Sequence, residues 1–124
     1  MSGLMIGDIA VQRIIEEEVP FFIPHETFVE ATPEALAPHR HWLEPNAMDP
    51  ETGMLILPFQ SYLVRTKHHT ILIDTCIGCG KSITHRPQWF QRTDQTWLNN
   101  LRAAGLQPEA IDYVFCTHLH ADHC

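Results

Sequence analysis

Apolar and polar positions interleave from Gly7 to Val19, where Ile9, Val11, Ile14 and Ile15 stand among polar neighbours. That spacing predicts a strand, and the acidic run Glu16-Glu17-Glu18 reads as its solvated end or edge. From Pro20 to Gly53 the periodicity is lost and prolines recur at 20, 24, 33, 38, 45 and 50. This stretch reads as a long loop with one short helix around Pro33 to Ala37, and loops of that length in compact domains usually carry function. Met54 to Val64 and Thr70 to Asp74 are β-rich, and Arg65 to His69 between them suits a hairpin turn, so the two segments should pair antiparallel.

Gly78 and Gly80 then break the chain, and Lys81 to Arg92 forms a second loop holding Trp89 and Phe90. A helix follows. Thr93 is its expected N-cap and Asp94 lies at the positive end of its dipole. Trp97, Leu98, Leu101 and Ala104 make one apolar face, and Gly105 ends the helix as a C′ residue. Pro108 suits the first position of a further helical turn. Ile111 to Cys116 is β-branched and aromatic, reads as a buried strand, and runs directly into Thr117-His118-Leu119-His120-Ala121-Asp122-His123-Cys124.

Composition narrows the function. The 124 residues (14.2 kDa) suit one small domain, with 44% hydrophobic and 19% charged residues, an ordinary globular balance. Fifteen acidic residues against eight Lys plus Arg leave a net charge of −7. Without a basic cluster, neither a nucleic-acid partner nor an anionic-membrane anchor is expected. No apolar run approaches the ~20 residues of a transmembrane helix, and the N-terminus lacks a signal-peptide pattern, so the expected location is cytoplasmic. The four cysteines are then expected to be reduced thiols.

Histidine is the unusual residue. There are nine, more than Lys and Arg together, and three of them lie in the last seven positions. His118, His120, Asp122 and His123 are four potential metal ligands within six residues, directly after a strand. At a strand end, side chains i and i+2 share a direction, so His118 and His120 can grip one ion. Asp122 and His123 follow on a loop and can turn toward a second. Imidazole nitrogen and carboxylate oxygen suit zinc, and iron and manganese accept the same donors.

These residues carry a resemblance. Thr117 to His123 matches the HxHxDH motif of the metallo-β-lactamase superfamily, and Ile71-Leu72-Ile73-Asp74-Thr75-Cys76-Ile77-Gly78 resembles that superfamily's earlier strand ending in Asp-Thr. The order of hairpin, Asp-Thr turn, amphipathic helix, strand and ligand loop is also similar, above all to the branch of quorum-quenching lactonases and methyl parathion hydrolase. The resemblance covers residues 54–124 well and the N-terminal part loosely. It implies that His118 and His120 bind a first zinc, that Asp122 and His123 bind a second, and that Asp74 steadies the ligands from behind. The last role competes with simple capping of the next turn.

The implied fold is α+β or α/β, the N-terminal half of a four-layer αββα sandwich. The implied reaction is attack of a metal-bound hydroxide on an ester-like bond of a small-molecule substrate, with Asp122 catalytic through metal binding and orientation of the hydroxide. A lactone is favoured, with β-lactam, phosphotriester and thioester as alternatives. The family completes its site with ligands from a C-terminal half that the sequence does not contain. Residues 1–124 therefore read as a partial domain cut within the ligand loop, inactive in isolation, with the oligomeric state left open. A mononuclear iron persulfide dioxygenase, a glyoxalase-type thioesterase and a non-catalytic metal-binding fragment are the alternative readings.

Other signals compete less well. Cys76-Ile77-Gly78-Cys79 is a CxxC pair, but Cys116 and Cys124 do not complete a structural zinc spacing, and no helix begins at the pair. His39-Arg40-His41 lacks Asp or Cys support. Trp42, Phe90 and Trp89 sit in loops, where packing and pocket lining are both open.

Overall fold

The computed structural model describes residues 3–124. Strands β1 (Leu4–Ile6), β2 (Ile9–Phe22), β3 (Leu55–Arg65), β4 (Thr70–Ile73) and β5 (Tyr113–Phe115) form one sheet of five strands in the order β1-β2-β3-β4-β5. The sequence places one strand from Gly7. Instead Gly7, at φ +61°, turns the chain between β1 and β2, which pair antiparallel with Ile6 opposite Ile9. β3 and β4 pair antiparallel with Leu63 opposite Leu72, as the pattern predicts. β4 and β5 pair parallel, Leu72 opposite Val114, and the crossover between them contains the helix α4 (Thr96–Ala103), because parallel neighbours cannot be joined by a tight turn.

The chain divides into two compact units. The first comprises the stretch as far as Glu17 together with residues 59–124. Its core is Ile14 of β2, Leu63 of β3 and Leu101 of α4, all fully buried, with Trp97, Ala104, Leu106 and Ile111 packed on them. The apolar face of α4 thus sits on the sheet as its spacing requires. The helix stops where Gly105 takes φ +81° and Leu106 N–H returns to the Leu101 carbonyl. Arg65 donates to the Ala104 carbonyl at 2.7 Å, placing a cation on the negative end of the helix. At the other end the N-cap is Gln95, not Thr93. Asp94 does the capping work, accepting from Thr96 N–H at 2.8 Å. Trp89 is buried edge-on against Phe59, 5.4 Å between ring centroids, so it packs the core.

The second unit, residues 18–58, holds more helix than its prolines suggested. α1 (Pro24–Thr27), α2 (Pro33–Leu36) and α3 (Arg40–Leu43) are single turns. Pro24 and Pro33 occupy the first turns of α1 and α2, where a missing N–H costs nothing, and Thr32 accepts Ala35 N–H at 3.2 Å. Buried Met48 bridges to Leu55, and a cavity of about 230 Å³ opens among Ile23, Pro24, Leu36 and Met48.

Two further expectations fail. Glu16 is not a solvated end, because β2 runs on to Phe22 and the residue is only 6% exposed. The Ile111–Cys116 strand is shorter and not buried. Tyr113, Val114 and Phe115 are 56–61% exposed, since β5 is the last strand of the sheet and only β4 pairs with it among the described residues.

Candidate metal centre

The ligand loop leaves β5 beside the turn that leaves β4, so parallel pairing brings two sequence-distant segments to one end of the sheet. Asp74 takes φ +61° and Cys76 φ +62° in that turn. Asp74 N–H donates to the Phe115 carbonyl at 2.9 Å, and Thr75 N–H donates to the His123 carbonyl at 3.1 Å, tying turn to loop through the main chain.

The Asp74 carboxylate, 6% exposed, organises the loop. It accepts Thr117 N–H at 2.7 Å on Oδ1, the Thr117 hydroxyl at 2.9 Å on Oδ2 and His123 Nδ1 at 2.8 Å on Oδ2. Burial opposes its ionisation, but the bonds from His123 and Thr117 outweigh burial and hold the carboxyl below the ordinary carboxylate range. An ionised carboxylate only accepts, so a neutral His123 carries its proton on Nδ1 and leaves Nε2 with a free lone pair. The same logic runs one step further. With its proton committed to Asp74, the Thr117 oxygen accepts from His118 Nδ1 at 3.1 Å, and His118 Nε2 is also left as an acceptor.

Those freed nitrogens face other donors of the motif. His118 Nε2 lies 3.0 Å from His120 Nδ1, and His123 Nε2 lies 3.2 Å from Asp122 Oδ2. Two ligands held tetrahedrally at about 2.0–2.2 Å from one zinc lie about 3.3–3.6 Å from each other, so each pair stands within a few tenths of an ångström of the spacing of a shared ion. The His118 and His123 rings are 4.0 Å apart. Among the described residues no three His, Cys, Asp or Glu side chains converge on one point. The donors therefore fit divalent metal in type and in pairwise spacing, two to a pair.

Three residues that local patterning does not single out support this arrangement. Glu16 reaches from β2 to accept Ile77 N–H at 2.8 Å and Gly78 N–H at 2.9 Å, and burial raises its pKa against those bonds and the attraction of Arg92. Ser61 contacts Cys76 Sγ at 3.2 Å and accepts Trp97 Nε1 at 2.9 Å. Lys81 donates to the carbonyls of Cys76 and Ala121. Cys76 is fully buried and its thiol is pushed up to about 12, mainly by burial. Cys79 is exposed, and all four cysteines are free thiols. His39 and Trp42 contact each other in the second unit, while Trp42 and Phe90 remain exposed.

Residues 58–124 match the metallo-β-lactamase superfamily, and the chain belongs to it. It is 30% identical over 83 residues to an N-acyl homoserine lactonase of Bacillus cereus, an alignment covering 57% of the chain and 32% of the lactonase. A probable metal-dependent hydrolase from Staphylococcus aureus superposes with a TM-score of 0.67 at 25% identity, over 97% of the chain and 41% of the hydrolase. The fold of AidC, a dizinc quorum-quenching lactonase solved with the product N-hexnoyl-L-homoserine, also superposes at 0.67, with 19% identity, over 98% of the chain and 37% of AidC. The mixed α and β architecture agrees with part of that fold. The chain spans about a third of the curated relative's length. No helix among the described residues is long and apolar enough to cross a membrane.

Proposed function

We propose that this chain is the metal-binding N-terminal part of a dinuclear zinc hydrolase acting on an ester-like bond, with a lactone as the favoured substrate. The observation that supports it best is the pairing of four side chains at one sheet end, His118 with His120 at 3.0 Å and Asp122 with His123 at 3.2 Å. The lactonase relatives favour a cyclic ester over the other substrates that the superfamily's chemistry accepts.

His118 and His120 would hold the first ion, and Asp122 and His123 the second. When bound, zinc supplies a water of pKa near ~7 and Lewis-acid stabilisation of developing negative charge. The chain's own part is positioning. Asp74 keeps the proton of His123 on Nδ1 and, through Thr117, that of His118 on Nδ1, so both Nε2 atoms stay available as ligands. Asp122 carries the negative charge that balances one ion and orients the nucleophile.

A catalytic zinc takes three protein ligands, and each pair here supplies two. The remaining ligands are assigned to sequence outside these 124 residues, so the chain alone should bind zinc weakly and hydrolyse little. Zinc titration by calorimetry, with acyl-homoserine lactone hydrolysis followed in parallel, tests this. Micromolar or weaker uptake that disappears in the His118→Ala, His123→Ala double variant is expected. Uptake unchanged in that variant defeats the ligand assignment, and rapid hydrolysis by the chain alone defeats the division of the site.

A further inference from the structure

Lys81 lies in the loop after the turn, outside every motif, yet its ammonium reaches both the turn and the ligand loop. Nζ donates to the Cys76 carbonyl at 3.2 Å and the Ala121 carbonyl at 3.3 Å, and also contacts a main-chain oxygen of Cys124, the last residue. An ammonium has three donors, and these are three main-chain acceptors. The starting point of the side chain is itself fixed. Gly80 N–H donates to the Arg92 carbonyl at 2.9 Å and Gln91 N–H to the Lys81 carbonyl at 2.8 Å, while Arg92 pairs with Glu17 at 3.2 Å. From the opposite side, Glu16 holds Ile77 and Gly78.

We propose that Lys81 is a positioning residue that locks the His118–His123 loop onto the Cys76 turn and so sets the spacing of the two ligand pairs. The purpose assigned to that lock rests on the metal reading above; the lock does not. Ala121 is the residue between the pairs: His120 precedes it and Asp122 follows it. Holding its carbonyl fixes where the first pair ends and the second begins. Without Lys81, turn and loop keep the Thr75 bond to the His123 carbonyl and the Asp74 contacts, which grip Thr117 and His123 but leave residues 119–122 untied from the turn.

The test compares the unsubstituted chain with Lys81→Met, which keeps most of the aliphatic stem, and Lys81→Arg. Amide hydrogen exchange is read on the metal-free chain, and zinc affinity on the same samples. Lys81→Met should speed exchange of the His123 amide, which donates to the His120 carbonyl, by about tenfold while the amides of β4 and α4 keep their rates, and it should weaken zinc binding by about fivefold or more. Lys81→Arg, which retains a cation able to donate to carbonyls, should recover most of both effects. Exchange within about twofold of the unsubstituted chain overturns the lock. Loosened amides with unchanged zinc affinity overturn its positioning role. A chain that binds no zinc in any form, with its loop loosened by Lys81→Met, defeats the metal reading and leaves the lock standing. Should Lys81→Met fail to fold, the Lys81 ammonium protons of the unsubstituted chain must still show through-hydrogen-bond coupling to the Cys76 and Ala121 carbonyls by NMR, and absence of that coupling overturns the proposal.

Discussion

Asp74→Asn separates the charge of the carboxylate from its shape. At φ +61° the backbone of residue 74 is in the left-handed region, which asparagine tolerates as well as aspartate, so this substitution adds no strain where alanine would. Asn Oδ1 can still accept Thr117 N–H, now 2.7 Å from Asp74 Oδ1. The other position becomes an NH₂ that faces His123 Nδ1, now 2.8 Å from Asp74 Oδ2. An amide donor there forces His123 to accept on Nδ1 and to carry its proton on Nε2, the nitrogen that faces Asp122. The Thr117 hydroxyl loses its 2.9 Å contact to Oδ2 but keeps Oδ1 at 3.1 Å, so the effect of the substitution falls on His123. Loss of a carboxylate behind a ligating histidine typically costs about 10–100-fold in metal affinity, or about 1.4–2.7 kcal/mol. Competition against a chromophoric zinc chelator measures the affinity, and the nitrogen-15 shifts of the His123 ring report the tautomer. Binding within about twofold of the unsubstituted chain, or a His123 ring that still carries its proton on Nδ1, would refute the reasoning.

Three further predictions follow from the same contacts. Burial raises the folded-state pKa of Glu16 above 4.5, aided by Glu17 and opposed by the Ile77 and Gly78 amides and Arg92, so the folded chain holds this proton more tightly than the unfolded one. Its contribution to stability is then largest below pH 4.5 and is lost as pH rises through the folded value; Glu16→Gln should flatten that segment of a urea-midpoint profile, and an unchanged slope contradicts the assignment. Leu101→Ala, at the centre of the core, should lower unfolding free energy by about 2–5 kcal/mol; a loss below ~1 kcal/mol in chemical denaturation would mean that α4 does not pack as described. Alkylation near pH ~8 should label exposed Cys79 and spare buried Cys76, checked by peptide mass mapping, and rapid labelling of Cys76 would place it outside the core.

What the sequence revealed was local. The β3–β4 hairpin, the apolar face of α4 and the stop at Gly105 are set by period, turn chemistry and a required positive φ, all readable within a dozen residues. Of the short helices of residues 18–58, the one at Pro33 was readable, while those at Pro24 and Arg40 were masked by the proline density around them. The burial of Glu16 was not readable, because a carboxylate in an acidic run looks solvated until the two amides that it serves arrive from more than sixty residues away. The exposure of β5 escaped for a related reason: an apolar strand announces that it can be covered, not what covers it. At the site the motif marks the donors and their pairing, while the tautomers imposed by Asp74 and the reach of Lys81 depend on contacts across forty or more positions.

The central claim is that the imidazoles and carboxylate at the end of β5 take up divalent metal in pairs. Zinc-edge X-ray absorption on the zinc-loaded chain tests it most directly. The account predicts nitrogen and oxygen neighbours at about 2.0–2.2 Å, with the outer-shell pattern of imidazole. Sulfur neighbours at about 2.3 Å in place of imidazole would contradict it.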